Sequence, residues 1–128
     1  MKKKFDPIYG HNLYKQKEIV LCAAIWYKEL DAIASGWETH EDREALEVQR
    51  LPINCDKGIV FCGHRHLQAM RTMNSVTGLT DCEAGESVQG FLTNYNRFVD
   101  RREGYQIALK AQQIEAKSSE YMYSEDLY

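Results

Sequence analysis

The chain reads as a small α+β domain: a mostly antiparallel sheet, two helices and an acidic C-terminal tail. Three observations predict it. Residues 18–27, EIVLCAAIWY, are a continuous apolar run with β-branched and aromatic members, as in a buried strand. Residues 88–99 read VQGFLT, NYN, RFV: a strand, a tight turn and a return strand, with asparagines that tolerate positive φ. DRREGYQIALKAQQI then carries the clearest helix signal, with Asp100 as N-cap and Glu103 at N3. At 128 residues the length suits one domain, taken here as 1–128.

The remaining elements follow in order. Residues 31–50 form an acidic excursion, in which THEDREALEV predicts a short helix capped by Thr39. GIVF predicts a second strand at about 58–62. HRHLQAMRTMNSV predicts a helix with Leu67, Met70, Met73 and Val76 on its apolar face. TGLTDCEAGES, residues 77–87, is turn material. In the second long helix Tyr105, Ile107, Ala108, Leu109, Ala111 and Ile114 supply the buried side. The tail, SSEYMYSEDLY, shows no helix or strand period.

Composition narrows function. The net charge of −3 argues against non-specific binding to DNA or RNA. No apolar run approaches the roughly 18 residues of a membrane span. MKKKFDPIYGHN has lysines but no apolar stretch behind them, so a cytoplasmic location is expected. The four cysteines, Cys22, Cys55, Cys62 and Cys82, form no CxxC pair and are expected to be reduced. Cys22 and Cys62 lie in apolar runs and read as small core residues. Charge is uneven: residues 1–18 hold five lysines against two acids, and residues 28–50 seven acids against three bases. Such a chain can hold a compact anion without attracting long polyanions.

Four patterns carry candidate chemistry. Cys62, His64 and His66 alternate, which suits a metal site with His11 or His40 as further ligands, but the usual second ligand pair is missing. The same histidines beside Cys62 suit acid–base or nucleophilic catalysis, yet there is no nucleophile elbow, HExxH or Walker loop. Gly63-His64-Arg65-His66 marks a strand-to-helix junction, where free N–H groups and an arginine fork suit phosphate. A second basic cluster, Arg97, Arg101 and Arg102, lies at the next helix start, so the two junctions could clamp a diphosphate. In the tail, Ser124, Glu125 and Asp126 sit among Tyr121, Tyr123, Leu127 and Tyr128. Acids there accept bonds from ribose hydroxyls, and aromatics stack on a purine. Against each stands a plain alternative: a core thiol, a satisfied histidine, solvated arginines, a frayed terminus.

CGHRH before a helix, VQGFLTNYNRFVDRREGYQIALKAQQI and the terminal YSEDLY together resemble the phage anti-Thoeris sponges of the first type. The resemblance covers roughly 19–27, 58–73 and 88–128 and leaves out the acidic excursion. It implies a protein that sequesters cyclic ADP-ribose isomers, and in some members cyclic oligonucleotides, without degrading them. It also implies a homo-oligomer, a dimer or trimer of dimers, with no cofactor, no nucleic-acid partner and no membrane. The implied ligand-binding residues are His64, Arg65, His66, Phe91, Asn94, Asn96, Arg97, Arg101, Ser124, Glu125 and Asp126. Side-chain chemistry suggests their roles. Arg65 with Arg97 or Arg101 meets phosphates, Phe91 stacks on a base, and Glu125 or Asp126 meets ribose hydroxyls. If a histidine adds a charge-assisted bond, capture weakens above about pH 6.5. Two other classes stay open: a nucleotide hydrolase using His64 or His66, and an oligomeric interaction subunit rich in tyrosine.

Overall fold

A computed structural model describes residues 16–30 and 51–127. The acidic excursion and its expected helix capped by Thr39 lie outside the described residues, as do His11 and His40. Four strands form one antiparallel sheet: β1 Val20–Tyr27, β2 Ile59–Gly63, β3 Ser87–Thr93 and β4 Phe98–Asp100, in the order β2-β1-β3-β4. Among the described residues three helices accompany it: α1 His66–Thr77, α2 Asp81–Ala84 and α3 Arg101–Lys110. A single 3-10 turn, Ser124–Asp126, ends the described chain. The fold is a small single α+β domain, as the patterning predicts, and among the described residues α2 is a short helix in a segment that reads as a turn.

The sheet has two covered faces, which explains why β1 is apolar without alternation. On one face, α1 lies over the β1–β2 half with Ile25, Tyr27, Ile59, Phe61, Ala69 and Met73. On that face's other half, α3 and the tail bury Val20, Ala23, Phe91, Val99, Tyr105, Ala108 and Met122. The opposite face carries Ala24 and Phe98 under Cys55, with Trp26, Leu51, Val60, Val88 and Leu92 around them. The loop before β2 supplies that cover and also finishes the β4 edge. The Asn54 side chain accepts from Phe98 N and donates to its carbonyl, standing in for a further strand.

Two backbone features place the site. Asn96 takes φ 59° in the β3–β4 turn, as the NYN reading requires. Gly63 lets α1 fold back against the end of its own strand, since a Cβ there would meet Ala69 N at 2.8 Å.

Three expectations are corrected. Leu67 and Val76 are 47% and 41% exposed, while His66, Ala69 and Met73 face the core. The helix is turned because His66 finds a partner inside, so a polar residue takes an inward position. Cys62 is exposed and Cys22 half-buried, because they stand where the loop cover on their face gives out. In the segment read as a turn, Thr80 and Glu83 together cap the N-terminus of α2, each side chain accepting from the other's backbone N–H. The tail, which shows no period, is anchored at single residues: Met122 is fully buried, and Ser124 nearly so.

Candidate functional site

The starts of α1 and α3 lie close together, and the tail crosses beside both. α1 begins after Arg65, whose backbone is extended and whose N–H donates to the Gln68 side chain at 2.9 Å. The Arg65 guanidinium donates to the carbonyl of Ser124. α3 begins after Asp100, which accepts from Glu103 N at 2.8 Å and so presents the next residue, Arg101, at the helix start. Arg101 donates to the Met122 carbonyl at 3.1 Å and to the Gln89 side chain, and its guanidinium lies 4.6 Å from the Tyr123 ring centroid. Lys117 approaches the same ring at 5.0 Å and pairs with Asp126 at 2.7 Å. Asp126 also accepts from Tyr123 N at 2.9 Å, which closes the 3-10 turn. Burial raises the Asp126 carboxyl, but the Lys117 and Tyr123 bonds outweigh it and hold it below the usual range.

His66 joins the two helix starts. Its Nε2 lies 2.7 Å from the Gly90 carbonyl and its Nδ1 3.4 Å from Arg101 Nη2. A carbonyl only accepts, so Nε2 carries the proton, and Nδ1 is left as acceptor toward Arg101. The ring stands edge-on to Phe91 at 5.3 Å. Burial first, and then Arg101, push this histidine below its ordinary value, against opposing pulls from the Gly90 bond and Glu125. His66 is therefore neutral at pH 7 and is not the cationic grip that the residue type suggests.

This predicts a pH dependence of stability. The unfolded chain carries the ordinary histidine value of 6.5 and the folded chain a lower one. Between those values the unfolded state binds more protons, so stability falls as pH drops through and below about 6.5. Melting temperature measured between pH 7.5 and 5.5 should decline in the wild type and decline less in His66→Gln. Equal slopes in the two proteins would remove His66 as the cause.

The structure brings together Arg65, His66, Arg101, Ser124, Glu125 and Asp126. Glu125 is exposed and acts electrostatically on both His66 and Arg101. His64 is exposed at the same junction. The other candidates lie elsewhere. Phe91 is 0% exposed, so it offers no ring face to a base. Asn94 accepts from Ile19 N and donates to the Lys17 carbonyl, tying the β3 end to the start of β1. Asn96 is exposed in the turn. Arg97 pairs with Glu18 at 2.9 Å and Glu103 at 3.0 Å. The second arginine cluster is thus divided: Arg101 joins Arg65, Arg97 closes an internal ion pair, and Arg102 pairs with Glu120 at the surface.

Three residues of the cluster escaped sequence reasoning in these roles: Gln89, Lys117 and Tyr123. Alternation in VQGFLT places Gln89 on the same face as Phe91, which was the available signal. Nothing in the sequence pairs Lys117 with Asp126, since the tail has no period. Among the described residues no group of three or more metal-ligating side chains occurs, so Cys62, His64 and His66 do not converge.

A separate cleft of about 580 Å³ lies along the other side of α3, lined by Lys17, Glu18, Tyr95, Glu103, Gln106, Ile107 and Lys110. Its two acids are those held by Arg97. The cleft and the arginine cluster are therefore different places, and the cluster holds the donors suited to phosphate.

Fold and site define a single-sheet α+β domain with two arginines and a neutral histidine gathered between two helix starts and a C-terminal strap. Residues 19–128 match the model of the phage T4 y16D protein family, and the chain belongs to that family of phage proteins. No curated protein matches, and no solved structure does. No helix among the described residues is long and apolar enough to cross a membrane.

Proposed function

We propose that this phage protein is a non-catalytic sponge that captures a cyclic, phosphate-containing nucleotide signal at the Arg65–Arg101 cluster. The observation that carries the reading is convergence: arginines 36 positions apart in sequence both point at the 122–124 stretch of the tail. Two planar donor forks suit a diphosphate. Tyr123 is partly exposed and its ring suits stacking on a base, and the exposed Glu125 carboxylate suits accepting from a ribose hydroxyl. The anti-Thoeris resemblance supports a cyclic ADP-ribose isomer as the first candidate, and cyclic oligonucleotides as the second. Both His66 nitrogens are engaged within the chain, which argues against His66 as the acid or base of a hydrolysis. Assembly as a dimer or trimer of dimers belongs to the same proposal. It would help to enclose a cluster that one chain leaves open.

The test is ligand release. The full chain is mixed with cyclic ADP-ribose isomers and with cyclic di- and trinucleotides, separated from free ligand and heated. A sponge returns its ligand unaltered, at no more than one equivalent per site. Altered ligand with repeated turnover would replace the reading with an enzyme. Failure to retain any member of the panel would sink nucleotide capture.

A further inference from the structure

Gln89 stands on β3 one residue before Gly90, whose carbonyl holds His66, and its side chain reaches Arg101 at the start of α3. Strand alternation puts it on the face of Phe91, but Phe91 is covered and Gln89 is exposed. Its Oε1 accepts from Arg101 Nη2. A guanidinium has donors and no acceptor, so the amide meets it in one orientation only: Oε1 toward Arg101 and Nε2 turned away. The two N–H groups of that Nε2 have no partner among the described residues. Arg101 is held by further bonds. Its Nη1 donates to the Met122 carbonyl, and its Nη2 faces both Gln89 and His66 Nδ1. Both hydrogens of Nη2 are thereby committed inside the chain.

On the reading of the Arg65–Arg101 cluster as a phosphate site, we infer that Gln89 has two roles there: its oxygen orients Arg101, and its amide nitrogen donates directly to a phosphate oxygen of the captured ligand. Neither arginine supplies such a neutral donor. Arginine attracts any anion through its charge, which acts over several ångström and in all directions. An amide N–H carries no net charge and contributes only where an acceptor lies in line at hydrogen-bond distance. Two such hydrogens beside the Arg101 fork favour an anion with several acceptor oxygens, a diphosphate above all, over a compact halide.

Two substitutions separate the roles. In Gln89→Glu a carboxylate keeps the acceptor for Arg101 and strengthens that bond, while an oxygen that repels anions replaces the N–H donors. In Gln89→Met the side-chain length is kept, and acceptor and donors are both lost without any change of charge. Gln89 is exposed, so both variants leave the buried core as it is.

The experiment titrates the full chain with inorganic pyrophosphate, followed by calorimetry and by proton–nitrogen NMR of the side-chain amides. The Gln89 amide signals are those lost in Gln89→Glu. In the wild type at least one of its two amide protons is expected to move downfield as pyrophosphate saturates the site. Gln89→Glu is expected to lose about tenfold or more in affinity while melting no lower than the wild type, and Gln89→Met to lose about tenfold. If Gln89→Met bound within about twofold of the wild type, the inference would be overturned, and the loss in Gln89→Glu would be charge repulsion alone. Amide signals that stay in place at saturation would overturn it as well and leave Gln89 as a positioning residue for Arg101. A wild type that binds no pyrophosphate would remove the phosphate reading of the cluster, and this role with it.

Discussion

Arg65→Ala is expected to weaken nucleotide capture by about 10- to 100-fold, the loss of one or two charge-assisted bonds to phosphate. The same change should move the melting temperature little. Arg65 is half-buried and its bond to the Ser124 carbonyl is lost, while the β-sheet, α3 and Met122 are untouched. Two neighbouring arginines make the comparison specific. Arg102→Ala removes a surface pair with Glu120 in which both side chains are more than 60% exposed, and such pairs contribute little. Capture and stability should both survive it. Arg97→Ala takes the guanidinium away from Glu18, whose carboxyl is raised by burial but held below its ordinary value by bonds from Arg97 and Thr93. That variant should lose stability and keep capture once folded. Calorimetry or the heat-release assay reads the first quantity, and thermal melting the second. If Arg97→Ala lost capture in the folded protein and Arg65→Ala kept it, the cluster would be the wrong place.

Met122→Ala is expected to cost about 2–5 kcal/mol, the range for truncating a fully buried methionine. For a chain of this length the melting temperature should fall by roughly 10 °C. Met122 contributes in two ways. Its side chain fills the space between Phe91, Val99, Tyr105 and Ala108, and its backbone bonds to Arg101 from both sides, N–H to carbonyl and carbonyl to guanidinium. Losing the anchor therefore also releases Tyr123, Ser124 and Glu125 from the helix starts. Capture should fall along with stability, and limited proteolysis should cut the tail first. Tyr121→Ala, beside it but 48% exposed, is the control and should leave both unchanged. A variant that melts normally and keeps a protease-resistant tail would show that the strap is held by something other than Met122.

These two expectations also mark where sequence reasoning reached its limit. Arg65 and Arg101 were both legible as candidates because each precedes or opens a helix, and helix starts are announced locally by Gly63 and by the Asp100–Glu103 cap. Their convergence was not legible, because it depends on two strands and a tail meeting across the sheet. Arg97 shows the same limit from the other side. It carries the same residue type in the same segment, yet Glu18, 79 positions away, claims its guanidinium. Phe91 reads equally well as stacking platform or core in a strand, and only the arrival of His66 and α3 above it decides for core.

The sequence alone determined the strands, the β3–β4 turn and the two longer helices, since apolar runs, positive-φ asparagine and capping pairs act over a few residues. Tertiary structure alone decided which polar groups serve the fold and which remain for a ligand. His66 shows the physical reason. Its inward turn is set by a carbonyl 24 positions away, and its neutral state by burial and by an arginine 35 positions away. Burial and partnership of that kind arise only when distant segments share a face of the sheet.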